Sequence, residues 1–191
     1  MDYQQSRAYI RDAEQYAGGA LDLTNIKEIM KRLGNPQDQL KYIHVAGTNG
    51  KGSVIAYLYT TLSDAGYRVG RYISPSVYSY REKMEVAGRS VSREQFAGYV
   101  TRVAAAIEEM TSEGLAHPTP FEIETAVAFL FFAEEKCDPV ILEVGMGGIT
   151  DATNLIGTTE LAVLVPISMD HQSFLGNTIA EIAEKKAGIV K

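Results

Sequence analysis

The residues able to do chemistry fall in a few short segments, and the first is Gly47-Thr-Asn-Gly-Lys-Gly-Ser53. Glycines at this density let backbone N–H groups turn inward around phosphate oxygens, and the N-terminus of a following helix adds partial positive charge. Lys51 would reach the β- and γ-phosphates of a nucleotide, and Ser53 or Thr48 could support a magnesium ion. The match to the common phosphate-loop pattern is imperfect. Counting back from Lys51, the first glycine falls on Val45, and Gly52 displaces the hydroxyl that should follow the lysine. The bland alternative is a plain strand-to-helix turn. The placement between an apolar run with Ile43 and Val45 and the helical-looking Val54–Ala65 favours a nucleotide site.

The remaining candidates are Ser74 beside Pro75, Glu143 at the end of an apolar run, and Asp170-His171. A hydroxyl, a carboxylate and an imidazole beside a phosphate loop make up a magnesium-binding set. Each has a plainer reading. A buried unpaired carboxylate is costly, which argues for a metal or substrate role for Glu143. His171 taken alone reads as a loop histidine, because magnesium prefers oxygen. His44 and His117 read as structural, and so does Cys137, beside Asp138-Pro139 at the start of an apolar strand. Lys185 and Lys186, read without further context, are solvated cations near a helix C-terminus, where positive charge is favoured.

Alternating helical and extended segments would have to position these groups. Thr24 is expected to cap a short helix ended by Gly34-Asn-Pro36. Strands are expected at about Leu40–Ala46, Tyr67–Ile73, Pro139–Val144 and Leu161–Pro166; the last two, apolar on both faces, suit a parallel sheet covered on both sides. Ser76–Ser90 reads as either a mobile loop or a short hairpin around Gly88. Ser92–Ser112 carries apolar residues at helical spacing with Ser92 as cap, and Phe121–Lys136 is a helix buried on most sides. The last helix, Thr178–Lys186, is expected to bury Ile179, Ile182 and Ala183 and to end at Gly188. That face would turn Lys186 inward and leave Lys185 nearer solvent. The fold class is α/β, a doubly wound, mostly parallel sheet with a phosphate-binding loop of the P-loop NTPase kind. Chemistry in such sheets gathers at the carboxyl ends of the strands, so Lys51, Ser53, Ser74, Glu143, Asp170 and His171 should share one edge.

The 191 residues suffice for one domain with a sizeable core. A net charge of −6 leaves no basic stripe and argues against nucleic acid as a partner. The opening residues lack the blocks of a signal peptide, and the longest apolar run, Ala126–Ala133, is too short to span a bilayer. Cytoplasmic placement without a membrane partner is the expectation.

Two motifs now carry a resemblance: His44-Val-Ala-Gly-Thr-Asn-Gly-Lys-Gly-Ser53, and Ile141-Leu-Glu-Val-Gly-Met-Gly-Gly-Ile-Thr-Asp-Ala-Thr-Asn-Leu-Ile156. With Ser74-Pro75, Thr119-Pro-Phe-Glu122, Asp170-His171, Leu175-Gly176 and Lys186–Lys191, they make nearly the whole chain resemble the N-terminal, ATP-binding part of the folylpolyglutamate synthase/dihydrofolate synthase family. This family belongs to the Mur ligase superfamily, and the implied fold is its central domain, truncated. The resemblance implies ATP phosphates on Gly47, Thr48, Asn49, Gly50, Lys51, Gly52 and Ser53. It implies magnesium on Ser74, Glu143 and His171, with potassium or another monovalent cation as a further candidate. It sets the pterin-bearing substrate against Thr119, Pro120, Phe121, Glu122, Asp151, Ala152 and Thr153. Lys186 aligns with a lysine the family carries as a carbamate. Only a neutral amine reacts with carbon dioxide, and Lys185 beside it would favour that form by like-charge repulsion.

The implied reaction is ATP-dependent ligation of L-glutamate to folate or dihydropteroate through an acyl phosphate, with Lys51, Glu143 and Lys186 at its centre. Two positions depart from the family: Ile149 stands where arginine is usual, and Ser76-Val77 where His-Leu is common. Family members continue into adenine contacts and a glutamate-binding domain, so this chain is expected to be a fragment of one incomplete domain, inactive alone and prone to associate through exposed apolar surface. A Mur-type peptidoglycan ligase, a cyanophycin-synthetase-like ligase and a non-catalytic nucleotide-binding module stay open as alternatives; dependence of ATP turnover on folate and glutamate separates them.

Overall fold

Residues 42–46 and 140–143 are mostly apolar and buried on both sides of the pleat, and both become inner strands of one sheet. The computed structural model describes residues 1–17 and 22–191. In chain order the elements are α1 (Tyr3–Asp12), α2 (Thr24–Arg32), β1 (Tyr42–Ala46), α3 (Lys51–Asp64), β2 (Gly70–Tyr72), β3 (Met84–Val86) and β4 (Arg89–Ser90). They continue with α4 (Arg93–Ser112), α5 (Pro120–Glu134), β5 (Val140–Glu143), β6 (Leu161–Leu164), α6 (Gln172–Leu175) and α7 (Ile179–Ala187).

The six strands lie in the order β4-β3-β2-β5-β1-β6. β2, β5, β1 and β6 run parallel, while β3 and β4 add an antiparallel edge. Register matters for function. Val45 stands opposite Glu143, and Tyr72 opposite Leu142, so the segments after β1, β5 and β2 leave from one edge of the sheet.

Helices cover both faces. α5 lies on one face with Phe129 and Phe132 wholly buried, and α1, α2 and α4 pack around it over Tyr42, Tyr72, Val140 and Leu142. On the other face α3 sets Ile55 and Tyr59 against Ile43, Val45, Ile141 and Val165. Among the described residues no helix is long and apolar enough to cross a membrane.

Several expectations need correction. α1 precedes the first helix expected from the sequence, and Asp2 and Gln5 form a reciprocal capping box at its start. Thr24 is not a cap: it is the first helical residue of α2, and its N–H is taken by the Asp22 carboxylate at 2.7 Å. α3 begins at Lys51 rather than Val54, so the lysine itself lies in the first turn. The strand expected from Tyr67 narrows to Gly70–Tyr72, with Arg68 making only an isolated bridge to Asp138. The open choice at 76–90 resolves as a hairpin, β3–β4, turning at Ala87-Gly88, both with positive φ. β6 is apolar but is an edge strand, with Leu161 and Leu164 exposed, so it is not covered on both faces. Ile179 is exposed as well, while Ile182 is fully buried.

Candidate functional site

β1 delivers the chain into Gly47, whose φ is +147°. A Cβ there would stand 2.2 Å from Val165 Cγ2 and 2.8 Å from the Val165 carbonyl oxygen, so only glycine lets the loop pass this close to the segment after β6. Thr48 ties the loop down. Its hydroxyl donates to the Ser168 carbonyl at 3.2 Å and accepts from the Ser168 N–H at 3.1 Å. Gly50, in the left-handed region, precedes α3 without any side-chain cap. The first-turn N–H groups of α3 are therefore free of a capping oxygen and face an anion-ready helix end.

Lys51 lies over its own loop, donating to the Gly47 carbonyl at 3.3 Å, with its Nζ 3.8 Å from Glu143 Oε1. Glu143, buried at the end of β5, accepts from the Ser74 N–H at 3.2 Å through Oε2. Burial holds its carboxyl above the ordinary range, against the pull of the Ser74 N–H and the Lys51 charge. Lys186, buried on α7, donates to the same Gly47 carbonyl at 3.1 Å and stands 3.6 Å from Asp170 Oδ2. Burial pushes its amine below the usual lysine value, and Asp170 opposes this. Lys185 is exposed and donates to the Phe174 carbonyl at 2.6 Å, as the helix count predicts.

His171 adopts a left-handed backbone with φ of 43°, and its half-exposed ring is paired with Asp170, Nε2 to Oδ1 3.5 Å. Among the described residues no three His, Cys, Asp or Glu side chains are grouped closely enough to hold a metal, and Glu143, Asp170 and His171 form no such group. Of the expected set, Ser74 and Glu143 meet; His171 stands apart with Asp170.

A cavity of about 420 Å³ opens beside this edge, with Ser74 and Pro75 in its wall. Thr119, Phe121, Glu122, Asp151 and Ala152, five of the residues that the resemblance sets against the substrate, line it. Pro120 instead faces a neighbouring cavity against α1, and Thr153 is buried behind Asp151. Thr119 and Glu122 have a second duty, forming the capping box of α5. Phe121 stacks on Tyr72 with ring centroids 6.1 Å apart.

Asp151 is buried, and its carboxylate accepts from the Met146 N–H at 2.8 Å, the Thr153 N–H at 3.0 Å and the Thr153 hydroxyl at 2.5 Å. Burial raises this carboxyl and the hydrogen bonds pull it down. The loop that carries it is docked on α7: the Ile149 N–H donates to the Lys185 carbonyl at 3.0 Å, and Asn154 Nδ2 to the Gly188 carbonyl at 3.1 Å.

Lys83, Met146 and Asp22 also line the cavity and were not read from the sequence. For Lys83 a signal existed: the hairpin must fold back on β2, and the Ile73 N–H indeed donates to the Lys83 carbonyl at 2.9 Å. His117 stacks on Tyr16, centroids 4.1 Å apart, and burial pushes the Cys137 thiol up to about 12, which matches their structural reading.

Comparison with known proteins agrees with this geometry. The chain is 42% identical over 190 residues to a dihydrofolate synthase/folylpolyglutamate synthase of Bacillus subtilis, an alignment covering 99% of this chain and 44% of that protein. A solved structure described as an FPGS-AMPPCP-folate complex superposes with a TM-score of 0.92 at 37% identity, covering 100% of this chain and 46% of that one. The Mycobacterium tuberculosis folylpolyglutamate synthase complexed with ADP gives a TM-score of 0.87 at 37% identity, covering 98% of this chain and 42% of that one. The chain thus spans less than half the length of the curated relatives it matches. The family model of the Mur ligase middle domain matches residues 45–191, from the last residues of β1 to beyond α7, and the chain belongs to that family.

Proposed function

We propose that the whole protein is a cytoplasmic, ATP-dependent, ADP-forming ligase that joins L-glutamate to folates, with dihydropteroate as an alternative acceptor. This chain supplies its phosphate loop and pterin pocket. The observation that carries the reading is Ser74. Its N–H holds Glu143, which faces Lys51 of the phosphate loop, and the same residue forms the wall of the 420 Å³ cavity. One residue thus joins the Glu143–Lys51 pair to an adjoining pocket, as transfer from nucleotide to acceptor requires. The names of the relatives, and the nucleotide analogue and folate in the FPGS complex, support the same assignment.

In this reading the acceptor's carboxylate oxygen attacks the γ-phosphorus, ADP leaves, and an acyl phosphate forms. The glutamate amine then attacks the carbonyl carbon, phosphate departs, and the amine proton passes to solvent. Gly47–Ser53 would wrap the phosphates through their N–H groups, and Lys51 would leave the Gly47 carbonyl to neutralise charge growing on the transferred group. Phe121, stacked on Tyr72, would offer its ring face to a flat pterin. Asp151 would accept from the pterin's N–H donors.

The residues present fit magnesium: Ser74 and Glu143 offer oxygen donors, and a buried carboxyl raised by desolvation lacks a full counter-charge. Magnesium held by Ser74 and Glu143 would supply charge neutralisation at the phosphoryl oxygens. His171 belongs to that set by resemblance alone, and a monovalent cation has the same standing. Lys186, inward and biased toward its neutral amine, suits the carbamate, whose negative charge would lie beside Lys51.

The test measures ADP release by the whole protein with folate and L-glutamate supplied separately and together. Release that needs both supports the reading. Release driven instead by a UDP-linked muramyl peptide, or indifferent to folate, overturns it.

A further inference from the structure

We propose that His44 is a positioning residue for the pterin pocket: its imidazole orients the Thr153 hydroxyl toward Asp151, and so fixes the face that Asp151 turns to the ligand. The proposal rests on the functional reading above for the ligand's identity but not for the network itself.

His44 is wholly buried in β1, between Leu142 of β5 and Ala162 of β6, three residues before the phosphate loop begins. Its Nε2 stands 2.8 Å from Thr153 Oγ1, and Thr153 Oγ1 donates to Asp151 Oδ1 at 2.5 Å. A hydroxyl has a single proton. With that proton on Asp151, Thr153 can only accept from His44, so the imidazole must carry its hydrogen on Nε2. The opposite tautomer would turn the Thr153 proton toward His44 and take a hydrogen bond from Asp151. It would also place an N–H on Nδ1, which is buried without any partner. An orphaned buried donor is the rarer and costlier defect. Burial, aided by the Lys191 charge, pushes the imidazole down to about 3, so it stays neutral and keeps a single donor.

The consequence for Asp151 is directional. Oδ1 is committed to Thr153 through both N–H and hydroxyl, and Oδ2 accepts the Met146 N–H. The Gly145 N–H is a further, weaker backbone donor to this carboxylate, and a ligand N–H entering the cavity that Asp151 lines would take its place. The ligand class that suits it is a flat heteroaromatic presenting N–H donors. If the Thr153 hydroxyl rotates away, Oδ1 keeps the Thr153 N–H alone and the carboxylate is aimed less tightly.

The test compares His44→Phe, which keeps ring volume without the N–H, with His44→Gln, whose amide can donate where Nε2–H does. Pteroate and a non-hydrolysable ATP analogue are titrated separately by calorimetry. Pteroate affinity should fall about tenfold in His44→Phe, return to within about twofold in His44→Gln, and the nucleotide affinity should hold in both. Thr153→Val should match His44→Phe, with the double variant no worse than either; should His44→Phe fail to fold, Thr153→Val carries the comparison. Equal losses in the Phe and Gln variants, or a parallel loss of nucleotide affinity, overturn the proposal. The titrations use the whole protein: if it takes up no pteroate without substitution, the functional reading falls, and the carbon-13 titration of the Asp151 carboxyl decides this one. Its midpoint should rise in His44→Phe and return in His44→Gln; the same midpoint in all three chains overturns it.

Discussion

Lys51 and Lys186 meet on one oxygen: the Gly47 carbonyl accepts from the first at 3.3 Å and from the second at 3.1 Å. Two ammonium groups on one acceptor repel each other, and the charge of Lys51 is among the influences that lower the Lys186 amine. An anion in the loop would relieve that repulsion by drawing Lys51 away. The nucleotide loop and α7 are therefore electrostatically linked across the opening of the site.

Removing Lys51 should separate binding from folding. Lys51→Ala is expected to weaken affinity for an ATP analogue by about ten- to a hundredfold, the size of a lost charge-assisted hydrogen bond. Stability should shift by no more than about 1 kcal/mol, since the ion pair that Lys51 makes with Glu143 is long, at 3.8 Å. Calorimetry and a melting curve on the same sample check both; unchanged affinity would remove the lysine from the nucleotide site.

Glu143 should show opposite effects on stability and on metal-assisted binding. Its carboxyl is raised in the folded state by burial. A raised acid contributes stability that is present below its unfolded pKa and lost as pH rises through the folded value. At neutral pH Glu143→Gln should therefore melt at a higher temperature than the parent, with the gain vanishing as the pH falls to the carboxyl range. The same variant should lose the magnesium-dependent part of nucleotide affinity and keep the metal-free part. Equal loss of both parts would make Glu143 structural.

For Lys186 the sign reverses. A lowered amine contributes stability present above its unfolded pKa and lost as pH falls through the folded value. Denaturant unfolding should show the parent gaining on Lys186→Met as the pH climbs toward the ordinary lysine range. With labelled bicarbonate, carbon-13 spectra of the whole protein should lose a carbamate signal in Lys186→Ala and keep it in Lys185→Ala. Loss in the Lys185 variant alone would assign the modification to the wrong lysine.

Gly145 offers a steric test of the pocket. A Cβ there would stand 2.6 Å from Phe121 Cζ, so Gly145→Ala must push the ring that lines the cavity. Pteroate affinity should fall about tenfold while nucleotide affinity holds, read by the same pair of titrations. Full pteroate affinity would show that the ring is not a ligand contact.

Thr119 serves α5 as much as the cavity. Thr119→Ala should cost about 1 kcal/mol of stability, with Thr119→Ser recovering most of it. Urea denaturation of the three chains measures this directly.

Much of this arrangement was legible because it depends on local chemistry. The glycine loop after a β-branched run marked the end of β1, and helical counting on 178–188 turned Lys186 inward. What escaped depends on partners far along the chain. His44 reads as structural from the sequence because the partner of its ring, Thr153, is distant in sequence but 2.8 Å away in space. Lys83 lay in a segment without clear period, and only the hairpin pairing brings it to the cavity. β6 reads as buried from composition because an apolar run carries no mark of which strands flank it. The pairing of His171 with Asp170 was not legible for a similar reason: the strand-end rule brings residues to an edge, but the backbone turn at 171 decides where the ring goes.

The docking of the 145–150 loop on α7 also constrains the order in which these positions can change. A Cβ at Gly188 would lie 2.0 Å from Ile149 Cγ1. Position 188 thus accepts a side chain only where the half-exposed Ile149 side chain turns away or shrinks, while 149 can shrink first at the cost of a gap. In a lineage of such chains the two sites should covary with a fixed direction, 149 leading and 188 following. The residue that replaces Ile149 then decides how far the helix bearing Lys186 can drift from the loop bearing Asp151.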